Sequence, residues 1–176
     1  DYVLVTYVAA SSSALSYAIK PRWALDYVFR EKFALPNLDT HVAEGTGEAV
    51  SIAGYFNTML DQSMNWDTAA KIRQDWGGTF CLKGVMSVAD ARRAVEIGAD
   101  AIMVSNHGGR QLDGSRAPFD QLAEIVEAVG GEIKIICDGG VRRGTHVLKA
   151  LATGATAASG GRLYLYALAA AGQAGV

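Results

Sequence analysis

The chain has 176 residues, half of them hydrophobic and 19% charged, with 16 Lys+Arg against 18 Asp+Glu for a formal net charge of −2. That near-balance excludes a binder of nucleic-acid grooves, which needs a basic excess, and the apolar content excludes a disordered chain. No apolar run reaches the roughly 18 residues of a spanning helix, and the length suits one domain of ordinary size.

In chain order, Tyr2–Val8 (YVLVTYV) reads as a strand and Ser11–Ser13 as a turn or linker. Tyr17–Leu38 mixes the aromatics Tyr17, Trp23, Tyr27, Phe29 and Phe33 with Lys20, Arg22, Arg30 and Lys32, and Asp39–Ser51 is polar. Residues 9–62 are therefore read as a loop or insert region. Trp66–Trp76 reads as a helix with Asn65 as its cap. From Thr79 a repeat sets in. Thr79–Gly84 (TFCLKG) is a short strand. Ser87–Ile97 is a helix: Ser87 is a natural N-cap, Asp90 stands near capping-box spacing, Val88, Ala91 and Val95 share a face, and Gly98 closes the last turn. Ala101–Asn106 (AIMVSN) is the next strand. Phe119–Val129 is a helix, with Leu122, Ile125, Val126 and Val129 on one stripe and Gly130-Gly131 after it. Ile133–Cys137 is a third strand and Thr145–Ala152 a third helix, ended by Gly154. Ala155–Ser159 is a fourth strand, and Arg162 opens a helix rich in Leu, Tyr and Ala.

Strand and helix alternate at the spacing of βα units, which build a parallel sheet. The segments RRAVEIGADA and LKALATGATA repeat one pattern of helix end, Gly-Ala turn and strand start. A dinucleotide-binding sheet would carry G-x-G-x-x-G after its first strand, and none is present. The polar and glycine-rich residues follow the C-terminal ends of the strands, where a (β/α)8 barrel builds its site. A full barrel takes about 250 residues. The expected fold is thus α/β, a partial (β/α)8 barrel running from strand four or five to strand eight, as a single domain over residues 1–176 with the site-bearing units in 63–176.

Cys81 and Cys137 lie in apolar runs, outside any C-x-x-C pair, and read as small buried hydrophobes of a reducing compartment. The first residue is Asp1, and no charged stretch precedes an apolar one as in a leader peptide. With its ending AAAGQAGV, the chain reads as a piece of a longer protein. The location expected is cytoplasmic.

The densest chemistry is Ser105-Asn106-His107-Gly108-Gly109-Arg110-Gln111-Leu112-Asp113. At strand spacing Ser105 and His107 face one side. Arg110 follows across two glycines that allow close backbone approach. An Arg can clamp a carboxylate in a bidentate fork while a neighbouring His handles a proton. A capped polar turn is the plainer alternative. Asp138-Gly139-Gly140-Val141-Arg142-Arg143-Gly144 and Gly160-Gly161-Arg162 follow the next two strands. Glycine amides at helix starts, with Arg beside them, form anion sites, and barrel phosphate sites sit after strands seven and eight. Ordinary turn glycines with surface arginines are the alternative. Lys83, at the end of an apolar strand, can point into the barrel mouth or into solvent. His146 reads as a surface or packing histidine and His41 lies in the polar stretch. No ligand-spaced partner stands near His107, so no metal is expected.

SNHGGRQLD, then DGGVRRGTHVLKALATGA, then GR closely resembles the FMN-dependent α-hydroxy acid dehydrogenase/oxidase family, whose members include glycolate oxidase, cytochrome-linked L-lactate dehydrogenase and mandelate dehydrogenase. The likeness runs from about Ser63 to Val176, and PRWALDYV at Pro21–Val28 is similar to the loop region before the fifth strand of the lactate and mandelate members. It implies a (β/α)8 barrel, FMN as cofactor, and oxidation of a small 2-hydroxy acid, L-lactate or mandelate-like, to the 2-oxo acid. By the same resemblance His107 accepts a proton from the substrate and Arg110 binds its carboxylate. Lys83 lies at the flavin pyrimidine edge and Ser105 contacts the flavin. Asp138, Gly139, Gly140, Val141 and Arg142, with Gly161 and Arg162, hold the ribityl chain and phosphate. The resemblance further implies a quinone, a cytochrome or O2 as electron acceptor and a homo-oligomer at full length.

The first residues depart from the family pattern. Where a Thr-x-Asp is expected on the fourth strand, Val5 and Tyr7 stand, and Ala14 falls near an expected arginine. The rival reading is an inactive half-barrel that binds FMN or phosphate without turnover. An inosine-phosphate dehydrogenase type of barrel would want a catalytic cysteine loop, which is not found. Aromatics among Lys and Arg in Tyr17–Leu38 also suit a peripheral contact at the inner face of a membrane, against the alternative of a loop packed on the barrel.

Overall fold

A computed structural model of the chain describes residues 19–29 and 60–176. The expected strand Tyr2–Val8, the turn at Ser11–Ser13, the stretch Asp39–Ser51, His41 and the departures at Val5, Tyr7 and Ala14 lie outside the described residues. The chain divides into two units, Asp1–Asp61 and Gln62–Val176, each considered by itself. The first contributes α1, Pro21–Phe29, which carries exposed Leu25, Val28 and Phe29.

The second unit begins with α2, Trp66–Trp76, whose first turn is held by the Asn65 side chain accepting from the Thr68 N–H. Gly77 ends it in the left-handed region, φ 64°, where a Cβ would be unfavourable. Four βα units follow: β1 Cys81–Lys83, α3 Val88–Glu96, β2 Ala101–Val104, α4 Pro118–Val129, β3 Lys134–Asp138, α5 Gly144–Ala152, β4 Ala157–Ser159 and α6 Arg162–Ala171. The strands form one parallel sheet in the order β1-β2-β3-β4.

The local reasons match the residues. Ser87 Oγ accepts from the Asp90 N–H at 3.0 Å and starts α3. Pro118 occupies the first turn of α4, where its missing N–H costs nothing. Three of the four strands are shorter than the sequence suggests, while β3 keeps its five residues shifted by one, to Lys134–Asp138. β2 stops at Val104 and the chain turns at Ser105, while β4 begins at Ala157 because Thr156 spends its hydroxyl on the Ile135 N–H.

Register sorts the side chains. Leu82, Ile102 and Ile135 form one row, and Val104, Cys137 and Ala158 the next. Ile102, Val104, Ile135 and Cys137 are sealed under Leu122, Ile125 and Val129 of α4, and these seven are the largest fully buried side chains among the described residues. Lys83, Met103, Ile136 and Ala157 occupy the other face. The reading of both cysteines as buried needs correction. Cys137 is buried, but Cys81 is exposed, since it shares its row with Ala101 and Lys134 on the face away from the helices.

Candidate active site

All four strands point their C-terminal ends the same way, so the loops after them meet. Lys83 is the last residue of β1, Ser105 follows β2, Asp138 ends β3, and Gly160-Gly161-Arg162 follows β4. A cavity of about 610 Å3 lies among them, lined by Lys83, His107, Arg110, Gly139–Arg142 and Ser159–Tyr166. Of the expected site residues Ser105 alone does not line it.

Ser105 is nonetheless its hinge. It is 2% exposed, one of two buried polar residues among the described residues. Its hydroxyl donates to Asp138 Oδ2 at 2.6 Å and accepts from the His107 N–H at 3.1 Å. Lys83 Nζ stands 3.2 Å from the same oxygen and 3.6 Å from Asp138 Oδ2. The carboxylate thus takes the serine proton, leaving lone pairs for the His107 amide and the lysine. Three loop ends are tied together, and Asp138 is the one anion among the cations Lys83, Arg110, Arg142 and Arg162.

The expectation that Ser105 and His107 share a strand face is corrected by the backbone. The strand has ended, and His107–Gly109 is a 3₁₀ turn. His107, Gly108 and Gly109 have φ of 58°, 69° and 72°. His107 is the one non-glycine at positive φ among the described residues, a conformation costing roughly 1–2 kcal/mol for a residue with a Cβ. Three contacts hold it there. Ser105 takes the His107 amide, Asn106 Oδ1 takes the Gly109 N–H at 3.1 Å, and Arg162 Nη2 donates to the Gly108 carbonyl at 2.6 Å. The strain is thus concentrated at an exposed histidine and fixed from three sides. Arg110 follows, exposed, with no hydrogen-bond or ion-pair partner among the described residues, so its fork is free for a ligand.

The second loop is built for close approach. Gly139 and Gly140 have φ of 113° and 72°. A Cβ on Gly139 would also meet Pro118 at 3.1 Å, while one on Gly140 would meet nothing. Cys137, just below, has its thiol pushed up by burial first and by the Asp138 carboxylate second. Gly161 is the N-cap of α6, and Arg162 its first residue.

Two participants were not expected from sequence. Asn106 caps the histidine turn and also donates from Nδ2 to the Arg116 carbonyl at 3.1 Å; an Asn ahead of His-Gly-Gly is a legible turn signal. His146, read as surface or packing, lies half-buried behind the Gly139–Arg142 turn, with Nδ1 at 3.2 Å from the Arg142 amide. Its partners are backbone groups, which leave no trace in residue types. Among the described residues no three His, Cys, Asp or Glu gather at metal-binding spacing.

A family model described as FMN-dependent dehydrogenase matches residues 5–176. The chain is 45% identical over 157 residues to an L-lactate dehydrogenase of Alcaligenes faecalis, covering 89% of this chain and 41% of that one. It is 42% identical over 166 residues to an L-lactate dehydrogenase of Actinobacillus pleuropneumoniae serotype 5b (strain L20), covering 93% and 43%. Among solved structures, the monotopic membrane protein (S)-mandelate dehydrogenase superposes with a TM-score of 0.81 at 38% identity, over 92% of this chain and 42% of that one. Mandelate oxidase with benzoyl-formic acid gives 0.62 at 50% identity, over 64% and 34%. The chain spans about two-fifths of the length of the curated relatives it matches.

Proposed function

Because the chain belongs to the FMN-dependent dehydrogenase family and its four βα units are part of a (β/α)8 barrel, we propose that the protein oxidises a small 2-hydroxy acid, of the L-lactate or mandelate kind, to the 2-oxo acid with FMN as cofactor. The observation that carries this reading is the cavity where Lys83, His107 and Arg110 meet a glycine turn and Arg162. The residues present suit the cofactor. The cavity falls in the size range of small-molecule sites, its charge is cationic, and left-handed glycines let backbone approach a phosphate.

When bound, FMN takes up the two electrons of the oxidation. The chain's residues do the rest. Arg110 clamps the substrate carboxylate in its free fork, fixing the α-carbon. His107, held forward by its strained turn, accepts the substrate proton at its imidazole. Lys83, steadied by Asp138 and with Ser105 beside it, would balance negative charge on the cofactor's pyrimidine ring. Gly139, Gly140, Val141 and Arg142, with Gly161 and Arg162, hold the ribityl chain and phosphate. We take residues 1–176 as one partial barrel domain, with 9–62 an insert region, of a cytoplasmic homo-oligomer that passes electrons to a quinone, a cytochrome or O2.

The test is a visible titration of this chain with FMN, beside His107→Ala and Arg110→Ala variants. A saturating flavin spectrum bleached by L-lactate or mandelate, and only with His107 and Arg110 intact, supports the full reading. Binding without bleaching supports the second one, a half-barrel that holds FMN without turnover, which rests on the 41% coverage of the relative's length. No binding refutes a cofactor site in this chain.

A peripheral membrane contact through α1 is supported by its exposed Leu25, Val28 and Phe29 and by the monotopic neighbour. No helix among the described residues is long and apolar enough to cross a membrane. Co-sedimentation with anionic vesicles tests it, and failure to pellet refutes it.

A further inference from the structure

Behind the Gly139–Arg142 turn lies a second cavity of about 460 Å3, lined on its far side by His146 and Lys149 of α5. Gly139, Gly140 and Val141, together with Gly108 and Arg162, line this cavity and the front one alike, so the turn forms part of the wall between them. Arg142 lines the front cavity and His146 the rear one. His146 Nδ1 is 3.2 Å from the Arg142 N–H and 3.2 Å from the Gly140 carbonyl, two backbone groups of that one wall.

A single ring nitrogen cannot serve both. Without a proton Nδ1 accepts from the Arg142 amide. With a proton it donates to the Gly140 carbonyl and turns an N–H toward the Arg142 N–H. We propose that His146 is a positioning residue for the phosphate-holding turn: neutral with its proton on Nε2, it fixes Arg142 toward the front cavity, and protonated on both nitrogens, it releases Arg142 and weakens the hold on a phosphate. This rests on the reading of the front cavity as an FMN site.

The groups facing His146 are accounted for. Lys149 stands one turn along α5, Arg162 reaches in from α6, and Cys137 lies below on β3. Arg142 and Arg143 flank it on the turn, and no carboxylate lines the rear cavity among the described residues. No neighbouring carboxylate therefore takes over the proton or the amide when the imidazole is protonated. The phosphate of FMN also titrates near pH 6, so the effect is a difference between proteins and not a slope in one.

The experiment is FMN titration, read by flavin fluorescence, of the flavin-free complete protein at about pH 7.5 and about pH 5.5. Wild type is compared with His146→Asn, whose amide oxygen still accepts from Arg142 but does not titrate, and with His146→Ala. Acid is expected to weaken wild-type binding about fivefold more than it weakens His146→Asn, the worth of one hydrogen bond. His146→Ala is expected to bind about fivefold more weakly than wild type at about pH 7.5, with the slope of the Asn variant. Riboflavin, which lacks the phosphate, is expected to show no difference among the three. Equal slopes in wild type and His146→Asn, or wild type tightening relative to it in acid, overturn this inference alone. Failure of wild type to bind FMN at either pH overturns the FMN site and this inference with it. Far-UV spectra that match across the variants exclude unfolding as the cause.

Discussion

Gly108→Ala isolates the contact that braces the histidine turn. Two costs are separable there. First, Gly108 has φ +69°, where an alanine costs roughly 1–2 kcal/mol. Second, the new Cβ would sit 2.7 Å from Arg162 Nη2, and the guanidinium must swing away. That swing breaks its 2.6 Å hydrogen bond to the Gly108 carbonyl. A charge-assisted bond is worth about 1.5–3 kcal/mol, and its exposed setting brings the figure to about 1. Gly109→Ala is the control. Its φ is +72°, yet nothing lies within 4 Å of its Cβ. Urea unfolding of the flavin-free protein is expected to show losses of about 2–3 kcal/mol for Gly108→Ala and about 1–2 for Gly109→Ala. FMN titration is expected to show a weakening of about tenfold confined to Gly108→Ala, because only there does Arg162 leave its place. Equal weakening in both, or an unaltered FMN affinity in Gly108→Ala, refutes the claim that Arg162 joins the turn to the phosphate end of the cavity.

Leu122→Ala removes a fully buried side chain over the central strands and is expected to cost about 3 kcal/mol in a urea series. Ser87→Ala deletes the oxygen that starts α3 and is expected to cost about 1 kcal/mol by the same assay. Thiol labelling at mildly alkaline pH is expected to modify exposed Cys81 and spare buried Cys137 until the protein unfolds, the difference lying in access since burial pushes both thiols up; modification of both in the folded state refutes the packing. Hydrogen bonds from Arg116, then Gln121, then the Arg116 charge hold the Glu124 carboxyl below its ordinary 4.5. A lowered folded value means a contribution complete above the ordinary unfolded value and lost as pH falls from there through the folded one. Glu124→Gln is therefore expected to flatten the acid limb of stability below about pH 4.5, and an unchanged acid limb refutes the pairing.

Much of this was legible because it is local. Caps, stripes and closing glycines act over a few residues, so Ser87, Leu122, Ile125 and Gly98 announce α3 and α4 directly. The residues that line the front cavity were legible because βα units deliver every strand end to one place. What escaped spans the sheet. The Ser105–Asp138 bond joins residues 33 apart, and Lys83–Ser105 joins residues 22 apart. The left-handed His107 escaped because alternation was extended past Val104, where pairing with β3 ends. His146 escaped because it speaks to amides and not to side chains.

The common direction of the four strands sends the opposite end of the sheet, at Asp100, Glu132 and Thr156, away from the chemistry. Gly131 sits at that end, exposed and with open space where a Cβ would go. A Gly131→Cys variant, made on a Cys81→Ser background so that only one thiol is accessible, gives a point of covalent attachment to an electrode or bead. Every molecule fixed through it would turn its cavity outward to the solution, a uniform orientation set by the parallel sheet itself.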